Sequence, residues 1–421
     1  MRVRRRSVLA GITGYGALGG AVSAQSNTTA KVVVVGGGFA GATAARELKR
    51  LAPRMAVTLI EANRRYTACP FSNLVIGGDR TIDAQTFEYS GLDRNGVTVV
   101  QDRATGVNAN TRQVVLSDGN TIPYDRLILS PGIDFRWNAL EGYGADAVDA
   151  MPHAWKAGEQ TLLLRRQLDA MEDGGLVVMA APAAPYRCPP GPYERASLVA
   201  HYLKTRKPRA KLIILDSKDQ FSKKPLFLQA WTDLYSDVLE WRGASEDGRV
   251  SRVDAAAMTI ETDFESFRPD VANVIPPQKA GEIAEASGVA DGTGWCPIDP
   301  VSFESMLQPN IHVIGDACIA APMPKSAFAA NLQAKICAIQ VVRLLADLGP
   351  TPTTLANTCY SFLSPDAAVS VTGVYTNDQG AFSENTNAGG TSPLQSSSRE
   401  RQAEAEQAKD WYRAVTNQAF G

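Results

Sequence analysis

The stretch KVVVVGGGFAG, residues 31–41, decides the fold. Its run of valines is typical of a parallel strand buried on both faces. The glycines that follow have the spacing Gly-x-Gly-x-x-Gly, residues 42–50 have helical composition, and a strand-like run at 56–60 ends in Glu61, 20 residues after Gly41. Strand, glycine turn, helix and acid come in the order of a dinucleotide-binding βαβ unit.

The three glycines and the acid have separate predicted roles. Gly36 permits the tight turn, Gly38 lets the backbone approach a pyrophosphate, and Gly41 lets the helix pack against the strand. The helix N-terminus then faces the anion, and Glu61 holds the ribose hydroxyls. The simpler alternative, a glycine-rich turn in an unrelated α/β sheet, is disfavoured because all four features occur together.

Two later segments favour FAD over NAD as the dinucleotide. They are YDRLILSPG at 124–132 and IHVIGD at 311–316, and both resemble segments of the glutathione reductase-like flavoprotein superfamily. The resemblance implies that the acid of the Gly-Asp pair, Asp316, meets the ribityl and pyrophosphate portion of FAD. An isolated Gly-Asp pair is commonly only a turn. Its position after a strand late in the chain favours the ligand role.

A second strand-helix-strand unit lacks a glycine fingerprint. Strand-like runs at 176–180 and 211–215 flank a helix-like run at 194–205, but the loop after the first strand reads APAAPYRCPPGPYE, residues 181–194. Proline has no backbone N–H and a fixed φ, so this loop is poorly suited to line a pyrophosphate cradle with donors. We therefore do not expect a nicotinamide cofactor as the usual electron partner.

The N-terminus predicts export. Arg4, Arg5 and Arg6 precede a Gly/Ala-rich, weakly apolar run that ends in Val22-Ser23-Ala24, which is the order of a twin-arginine signal peptide with its cleavage site. A membrane anchor is the alternative, but the run is short and rich in glycine for a span. We expect a periplasmic protein that acquires its cofactor before export. Acidic residues (44) exceed Lys and Arg (42) even with these arginines, so we expect no nucleic-acid partner.

Six cysteines occur in this chain, at positions 69, 188, 296, 318, 337 and 359. Disulfides are plausible in an oxidising compartment. The sequence holds no Cys-x-x-Cys-His, the attachment motif of c-type haem, so we expect no haem on this polypeptide. Paired Cys-x-x-Cys motifs and histidine clusters are also missing from the sequence, and we predict no metal site.

Four cysteine-containing segments carry a more specific resemblance: RYTACPFSN at 65–73, the proline-rich loop around Cys188, GWC at 294–296, and NTCYS at 357–361. Over essentially the whole chain the sequence resembles the flavoprotein subunit of flavocytochrome c sulfide dehydrogenase. The resemblance implies FAD attached covalently through Cys69, and a redox-active disulfide between Cys188 and Cys359 beside the isoalloxazine ring. It also implies a heterodimer with a c-type cytochrome subunit, which alone carries haem c.

The implied chemistry is sound, because a disulfide is an electrophile toward hydrosulfide and attack leaves a persulfide and a thiolate.

Simpler interpretations exist for each thiol. Cys188 and Cys359 could form a static structural disulfide, and Cys69 could be a free thiol beside noncovalent FAD. Cys318 and Cys337 read as small core residues, and Cys296 as a residue packed near the cofactor. Lys325 could lie near reduced flavin or in solvent, and Glu194 could transfer protons or only begin a helix.

At 421 residues the chain suggests two or three domains. We predict an α/β fold with two Rossmann-like dinucleotide-binding-type domains and a smaller C-terminal α+β interface domain. Residues 383–398 are predicted as a surface loop and residues 399–417 as a polar helix, which disfavours stable membrane insertion. The predicted ranges are a signal peptide at 1–24, the FAD domain at 25–142 and 282–348, the second Rossmann-like domain at 143–281, and a cytochrome- or flavin-facing domain at 349–421.

The predicted function is oxidation of hydrosulfide at the redox disulfide, with electrons passed singly from FAD to the cytochrome. Haem iron accepts single electrons, and flavin is the natural converter from two electrons to one. The alternative enzyme is a sulfide:quinone oxidoreductase, which shares the fold but needs an apolar quinone route and membrane-binding helices. A flavin-containing structural or assembly protein without turnover is the third possibility, from a different functional class.

Overall fold

The computed structural model describes residues 28–421, so the predicted signal peptide lies outside the described residues. The first part of the chain is built on short strands and three helices. These are β1 (Lys31–Val35), α1 (Phe39–Leu51), β2 (Ala56–Ile60), β3 (Arg65–Thr67), α2 (Ser72–Gly77), β4 (Thr86–Glu88), α3 (Ser90–Arg94), β5 (Thr98–Val100), β6 (Ala104–Asn108), β7 (Gln113–Leu116), β8 (Thr121–Pro123), β9 (Arg126–Leu129) and β10 (Ile133–Phe135).

The middle of the chain repeats the alternation of strand and helix and then forms a small antiparallel sheet. Its elements are α4 (Glu159–Ala170), β11 (Leu176–Ala181), α5 (Gly191–Arg206), β12 (Lys211–Asp216), α6 (Lys224–Tyr235), β13 (Leu239–Arg242), β14 (Arg252–Asp254), β15 (Thr259–Glu261), β16 (Ser266–Phe267), β17 (Val271–Val274) and β18 (Gln278–Ala280). The last part contains α7 (Ile283–Ala286), β19 (Ile311–Val313), α8 (Ala327–Leu345), β20 (Thr354–Ser364), β21 (Ala367–Thr376), β22 (Ser383–Thr391) and α9 (Ser398–Phe420).

Two parallel sheets form the framework. The first has the strand order β19-β9-β1-β2-β5, so the chain returns to this sheet through β19 after the second unit is complete. The second has the order β13-β12-β11-β17. Val32 and Val34 of β1 are fully buried; α1 packs on β1 and β2, and α8 packs on α1. This arrangement confirms the predicted α/β class with two Rossmann-like units.

The C-terminal part is an antiparallel sheet, β20-β21-β22, with α9 packed on β21. The helix prediction for residues 399–417 is confirmed, and Ser397 begins α9 with a capping box to Glu400. The loop prediction for residues 383–398 is wrong in its first half. Residues 383–391 form the edge strand β22, which is almost entirely exposed and therefore lacks the alternation of apolar and polar residues that reveals a strand.

Helix α8 is long and apolar enough by composition to cross a membrane, with a mean hydropathy of 1.2. In the structure 67% of that window is buried inside the protein, where Ala334, Ala338 and Val341 contribute to the core. Its packing against α1 gives it the position of a core helix in the first Rossmann-like unit.

Candidate functional site

A cavity of about 840 Å³ opens at the carboxyl ends of the strands of the first sheet. This edge is where open α/β sheets bind their ligands. The second unit contributes the loop before α5 and the start of that helix, and the C-terminal sheet contributes part of β20. All three parts of the chain therefore meet around one site. Among the residues that line it are all of the predicted site residues except Gly41, namely Gly36, Gly38, Glu61, Cys69, Cys188, Asp316 and Cys359.

The glycine turn has the geometry that its spacing predicts. Gly36 has φ +96°, which L side chains rarely adopt, and a Cβ at Gly41 would lie 1.9 Å from the Gly36 carbonyl oxygen. A Cβ at Gly38 would meet only the ring of Tyr66, at 3.5 Å. Helix α1 begins without a side-chain cap or an acid in its first turn, so its first amides face the cavity as donors for an anionic group.

Glu61 follows β2, and its carboxylate is hydrogen-bonded to the glycine turn. Its carboxylate accepts hydrogen bonds from the Gly37 amide at 2.7 Å and from the Asn63 amide at 2.8 Å. The carboxylate also lines the cavity. This is the position from which an acid after the second strand reaches the ribose of a bound dinucleotide.

Asp316 sits in a single helical turn at residues 315–317, directly after β19. Its Oδ1 atom is buried without a hydrogen-bond partner among the described residues, and Oδ2 lies 3.9 Å from Arg187 Nη1. Burial raises the pKa of Asp316, and the positive charges of Arg187 and Lys325 oppose that rise. An unsatisfied buried acceptor at the cavity is the feature that a ligand hydroxyl would satisfy. The residues of this cavity therefore fit FAD.

Cys69 lies between β3 and α2 and is half-buried at the cavity. Its Sγ atom is 3.7 Å from the carbonyl oxygen of Trp155, which also accepts a hydrogen bond from Arg187. The aromatic residue Phe71, two positions later, has φ +70° and begins α2. The thiol thus lies at the cavity wall, close to the cation that pairs with Asp316.

Cys188 and Cys359 reach the cavity from segments far apart in the chain, the loop before α5 and strand β20. Cys188 comes from the proline-rich loop with φ +57°, and Gly191 leaves room for it, since a Cβ there would lie 3.0 Å from the Cys188 sulfur. Burial raises the pKa of Cys188, and the negative charges of Glu194 and Cys359 add to that rise. The exposed surface of Cys188 faces the cavity. Small molecules in the cavity can therefore reach its sulfur, although protein groups surround the residue. The structure describes the reduced form of the chain, in which the six cysteines within residues 28–421 are unpaired.

A buried hydrogen-bond network links the two cysteine-bearing segments to the first domain. Glu194 accepts from Asn73 Nδ2 at 2.9 Å and from the Phe362 amide at 3.1 Å. Arg195 donates to Asn73 Oδ1 at 3.0 Å and to Asn273 Oδ1 at 2.8 Å, with only 2% of its surface exposed. Burial raises the pKa of Glu194, and the hydrogen bonds from Asn73 and the Phe362 amide oppose that rise.

The remaining predicted candidates lie behind the cavity wall. Lys325 does not line the cavity; its ammonium donates to the carbonyl oxygens of Asp316 at 2.7 Å and Cys318 at 2.8 Å, over the ring of Trp295. It is therefore neither a solvated surface lysine nor a group at the cavity surface. Cys296 and Cys318 are buried and adjacent across a β-bridge, and Cys337 is buried in the core.

In the second Rossmann-like unit, protein side chains occupy the position where a dinucleotide ribose would bind. Asp216 ends β12, where the ribose-binding acid of a Rossmann unit stands. It is fully buried and accepts from Tyr193 Oη at 2.6 Å, Trp241 Nε1 at 3.2 Å and Lys218 Nζ at 2.5 Å. The ring of Phe221 stacks on Tyr193 at 3.6 Å. The carboxylate oxygens that would hold a ribose are thus already bonded.

Sequence reasoning missed three polar residues of this site: Asn73, Arg195 and Lys223. In the sequence Asn73 is one position of the segment at residues 65–73, and Arg195 is one position of a helix-like run of mixed composition. Lys223, 7% exposed, donates to the Cys359 carbonyl oxygen at 2.9 Å from the residue before α6. No local pattern reveals these residues, because each is buried by segments distant in sequence.

Comparison with known families gives three matches. The model "Sulfide dehydrogenase [flavocytochrome c] flavoprotein chain, central" matches residues 161–276, and "Flavocytochrome c sulphide dehydrogenase, flavin-binding" matches residues 351–420. "Pyridine nucleotide-disulphide oxidoreductase" matches residues 30–167. The flavin-binding model covers β20 to α9, so flavin binding is supported for the part of the chain that carries Cys359.

Individual relatives agree with these families. The sulfide dehydrogenase [flavocytochrome c] flavoprotein chain of Chlorobaculum thiosulfatiphilum is 53% identical over 47 residues, 11% of this chain and 98% of that sequence. The mitochondrial sulfide:quinone oxidoreductase of Mus musculus is 24% identical over 327 residues, 73% of this chain and 69% of that protein.

Among solved structures, the sulfide:quinone oxidoreductase of Aquifex aeolicus has the same fold, with a TM-score of 0.72, 16% identity and 92% coverage of both chains. The resemblance predicted from the cysteine-containing segments is confirmed by the two family models of the sulfide dehydrogenase and by the Chlorobaculum relative. The chain belongs to the family of flavoprotein chains of flavocytochrome c sulfide dehydrogenase.

Proposed function

We propose that this chain is an FAD-dependent sulfide dehydrogenase that oxidises hydrosulfide at a disulfide between Cys188 and Cys359. The observation that carries the proposal is the meeting of these two cysteines, from separate domains, in the cavity that also contains the dinucleotide turn. Membership of a sulfide-oxidising flavoprotein family supports the same substrate.

The residues of the chain have defined tasks in this reaction. The lone pair of hydrosulfide forms a bond to one sulfur of the disulfide, the sulfur–sulfur bond breaks, and its electron pair stays on the other cysteine as a thiolate. Arg187, between Cys69 and Asp316, gives the cavity a positive charge that favours anionic hydrosulfide. Glu194, bonded to Asn73, is placed to take the proton of the persulfide.

The proposed cofactor arrangement follows the predicted ligands. Gly36, Gly38 and the start of α1 would hold the pyrophosphate, Glu61 the ribose and Asp316 the ribityl chain, and Cys69 would form the covalent bond. FAD supplies the acceptance of two electrons and their release one at a time. The acceptor in this proposal is a c-type cytochrome subunit in a heterodimer, and haem c belongs to that subunit alone.

A sulfide:quinone oxidoreductase is the second candidate, because the murine relative and the Aquifex fold match carry that name. The C-terminal helix speaks against it. Helix α9 packs on β21 and α1, and Phe420 at its end is enclosed by the rings of Phe39, Tyr66 and Phe87. A helix whose apolar face is covered in this way does not present it to a membrane.

The test is anaerobic addition of hydrosulfide to the purified holoprotein. We expect the flavin absorbance to bleach, and electrons to pass to a c-type cytochrome much faster than to a soluble quinone analogue. Cys188→Ser and Cys359→Ser should each abolish bleaching, whereas Cys296→Ala, at a buried thiol outside the cavity, should not. Bleaching that persists in both serine variants would refute the disulfide mechanism, and an unchanged wild-type spectrum would support a flavoprotein without turnover.

We also propose that the chain works in the periplasm after export through the twin-arginine pathway. The support is the order of Arg4, Arg5 and Arg6 before the apolar run. Cell fractionation tests this directly: the wild-type chain should appear in the periplasm with FAD bound. Replacement of the three arginines by lysine should keep it in the cytoplasm, and equal export of both would contradict the proposal.

A further inference from the structure

The sulfur of Cys359 accepts a hydrogen bond from a buried side-chain amide. Asn357 Nδ2 donates a hydrogen bond to Cys359 Sγ at 3.1 Å. Ser326 fixes the orientation of that amide by donating to Asn357 Oδ1 at 2.5 Å, and Ser326 is itself fixed as the N-cap of α8, accepting from the Ala329 amide at 3.0 Å. The donor is thus aimed at the sulfur by the start of a long core helix.

A buried cation lies on the other side of the same residue. Lys223 Nζ donates to the Cys359 carbonyl oxygen at 2.9 Å, and the residue is held with φ +63° before α6. Burial lowers the pKa of Lys223, and negative charge on Cys359, Glu194 or Cys188 raises it again. The ammonium form is therefore favoured when the neighbouring sulfurs become anionic.

Both products of hydrosulfide attack can carry negative charge, since one cysteine becomes a thiolate and the other a persulfide. We propose that Asn357 and Lys223 are positioning residues that stabilise this negative charge on the sulfur carried by Cys359, whether thiolate or persulfide. The inference rests on the proposed function. Burial and the carboxylate of Glu194 oppose ionisation of Cys188, whereas the positive charges of Lys223 and Arg187 favour it.

Several other titratable groups lie near Lys223 and Cys359, and their charges must stay the same when variants are compared. Lys223 is near Glu194, Cys188 and Glu404 as well as Cys359, and Tyr375 also faces Cys359. A comparison at one pH with variants of single residues keeps these charges the same. A second comparison across pH then tests whether the effect follows ionisation of the sulfur.

The experiment measures alkylation of the holoprotein by iodoacetamide after anaerobic reduction with dithiothreitol, with each cysteine quantified by peptide mass spectrometry. Lys223→Met and Asn357→Leu should each slow alkylation of Cys359 about tenfold at neutral pH, which corresponds to about 1.4 kcal/mol of charge stabilisation. Lys223→Arg should restore most of the rate. In alkaline solution the wild-type and variant rates should converge, because Cys359 is then a thiolate in every protein.

Lys207→Met is the matched control. Lys207 is also buried, and its ammonium donates to the carbonyl oxygens of Asp169 at 2.8 Å and of Met171; none of these three residues lines the cavity. It should leave the Cys359 rate unchanged. Unchanged rates in Lys223→Met and Asn357→Leu, or an equal fall in Lys207→Met, would overturn the inference. If Lys223→Met does not fold, Asn357→Leu decides the question alone. Bleaching of the wild type by hydrosulfide is scored separately and reports only on the proposed function.

Discussion

Replacing Arg195 by methionine should destabilise the protein strongly. The guanidinium donates to Asn73 Oδ1, Asn273 Oδ1 and the carbonyl oxygens of His153 and Ala154, and it lies 5.0 Å over the ring of Trp155. It therefore joins α2, which follows β2 and β3 in the chain, to β17 of the second parallel sheet. Methionine fills a similar volume but donates nothing.

The magnitude follows from the groups left behind. Asn73 Oδ1, Asn273 Oδ1 and the Ala154 carbonyl oxygen would lose the Arg195 donors, at about 1–3 kcal/mol for each buried acceptor. Removal of the desolvation cost of the cation offsets part of this sum. Burial lowers the pKa of Arg195 to about 9, so the cation is present at neutral pH. Breaking a buried charged network by removing one partner costs about 3–5 kcal/mol, and we expect a loss in that range.

Urea unfolding of the holoprotein, followed by circular dichroism and flavin fluorescence, measures this loss. Arg209→Met is the control, because the Arg209 side chain is 75% exposed and forms an ion pair with the surface carboxylate of Asp173, so its removal should cost less than about 1 kcal/mol. An Arg195→Met protein within about 1 kcal/mol of the wild type would refute the reasoning that this network holds the domains together at the site.

Three further predictions concern the cofactor and the carboxyl group. Gly41→Ala should prevent retention of flavin and destabilise the fold, because its Cβ would lie 1.9 Å from the backbone oxygen of Gly36, whereas Gly106→Ala, with nothing within 4 Å, should bind flavin normally in an absorbance assay. Acid precipitation should leave the yellow colour in the wild-type pellet and release it in Cys69→Ser; free colour from the wild type would contradict covalent attachment. Because burial raises the pKa of Glu194 above 4.5, the folded protein binds that proton more tightly than the unfolded chain. The free energy of unfolding of the protein should therefore fall as the pH rises from about 4.5 through the raised pKa. Glu194→Gln should reduce this dependence of the free energy of unfolding on pH, as measured by urea titrations.

The first Rossmann-like unit could be predicted because its determinants are local. The strand at residues 31–35, the glycine turn and Glu61 all lie within one short stretch, and the structure forms β1, α1 and β2 there. The same reasoning placed Asp316 after a strand, and that strand is β19. Local steric requirements of this kind, such as the positive φ of Gly36, can be predicted from the residue types alone.

The parts that escaped prediction depend on long-range contacts. Strand β22 pairs with β21 through its backbone, and its exposed Ser, Asn and Gly side chains resemble a loop. Arg195 looks like a surface residue of a helix, yet α2, β17 and the segment around Ala154 bury it. Lys325 likewise donates to the carbonyl oxygens of Asp316 and Cys318, which the turn at residues 315–317 positions. Burial of a polar residue by distant segments leaves no periodic signal in the sequence.

The most direct test of the central claim is differential labelling of the cysteines in protein isolated under air. We expect Cys188 and Cys359 to resist alkylation before reduction and to take up one label each afterwards, with a peptide that contains both positions joined in the unreduced digest. Labelling of both cysteines without a reductant, or linkage of either one to a different cysteine, would contradict oxidation of hydrosulfide at this pair.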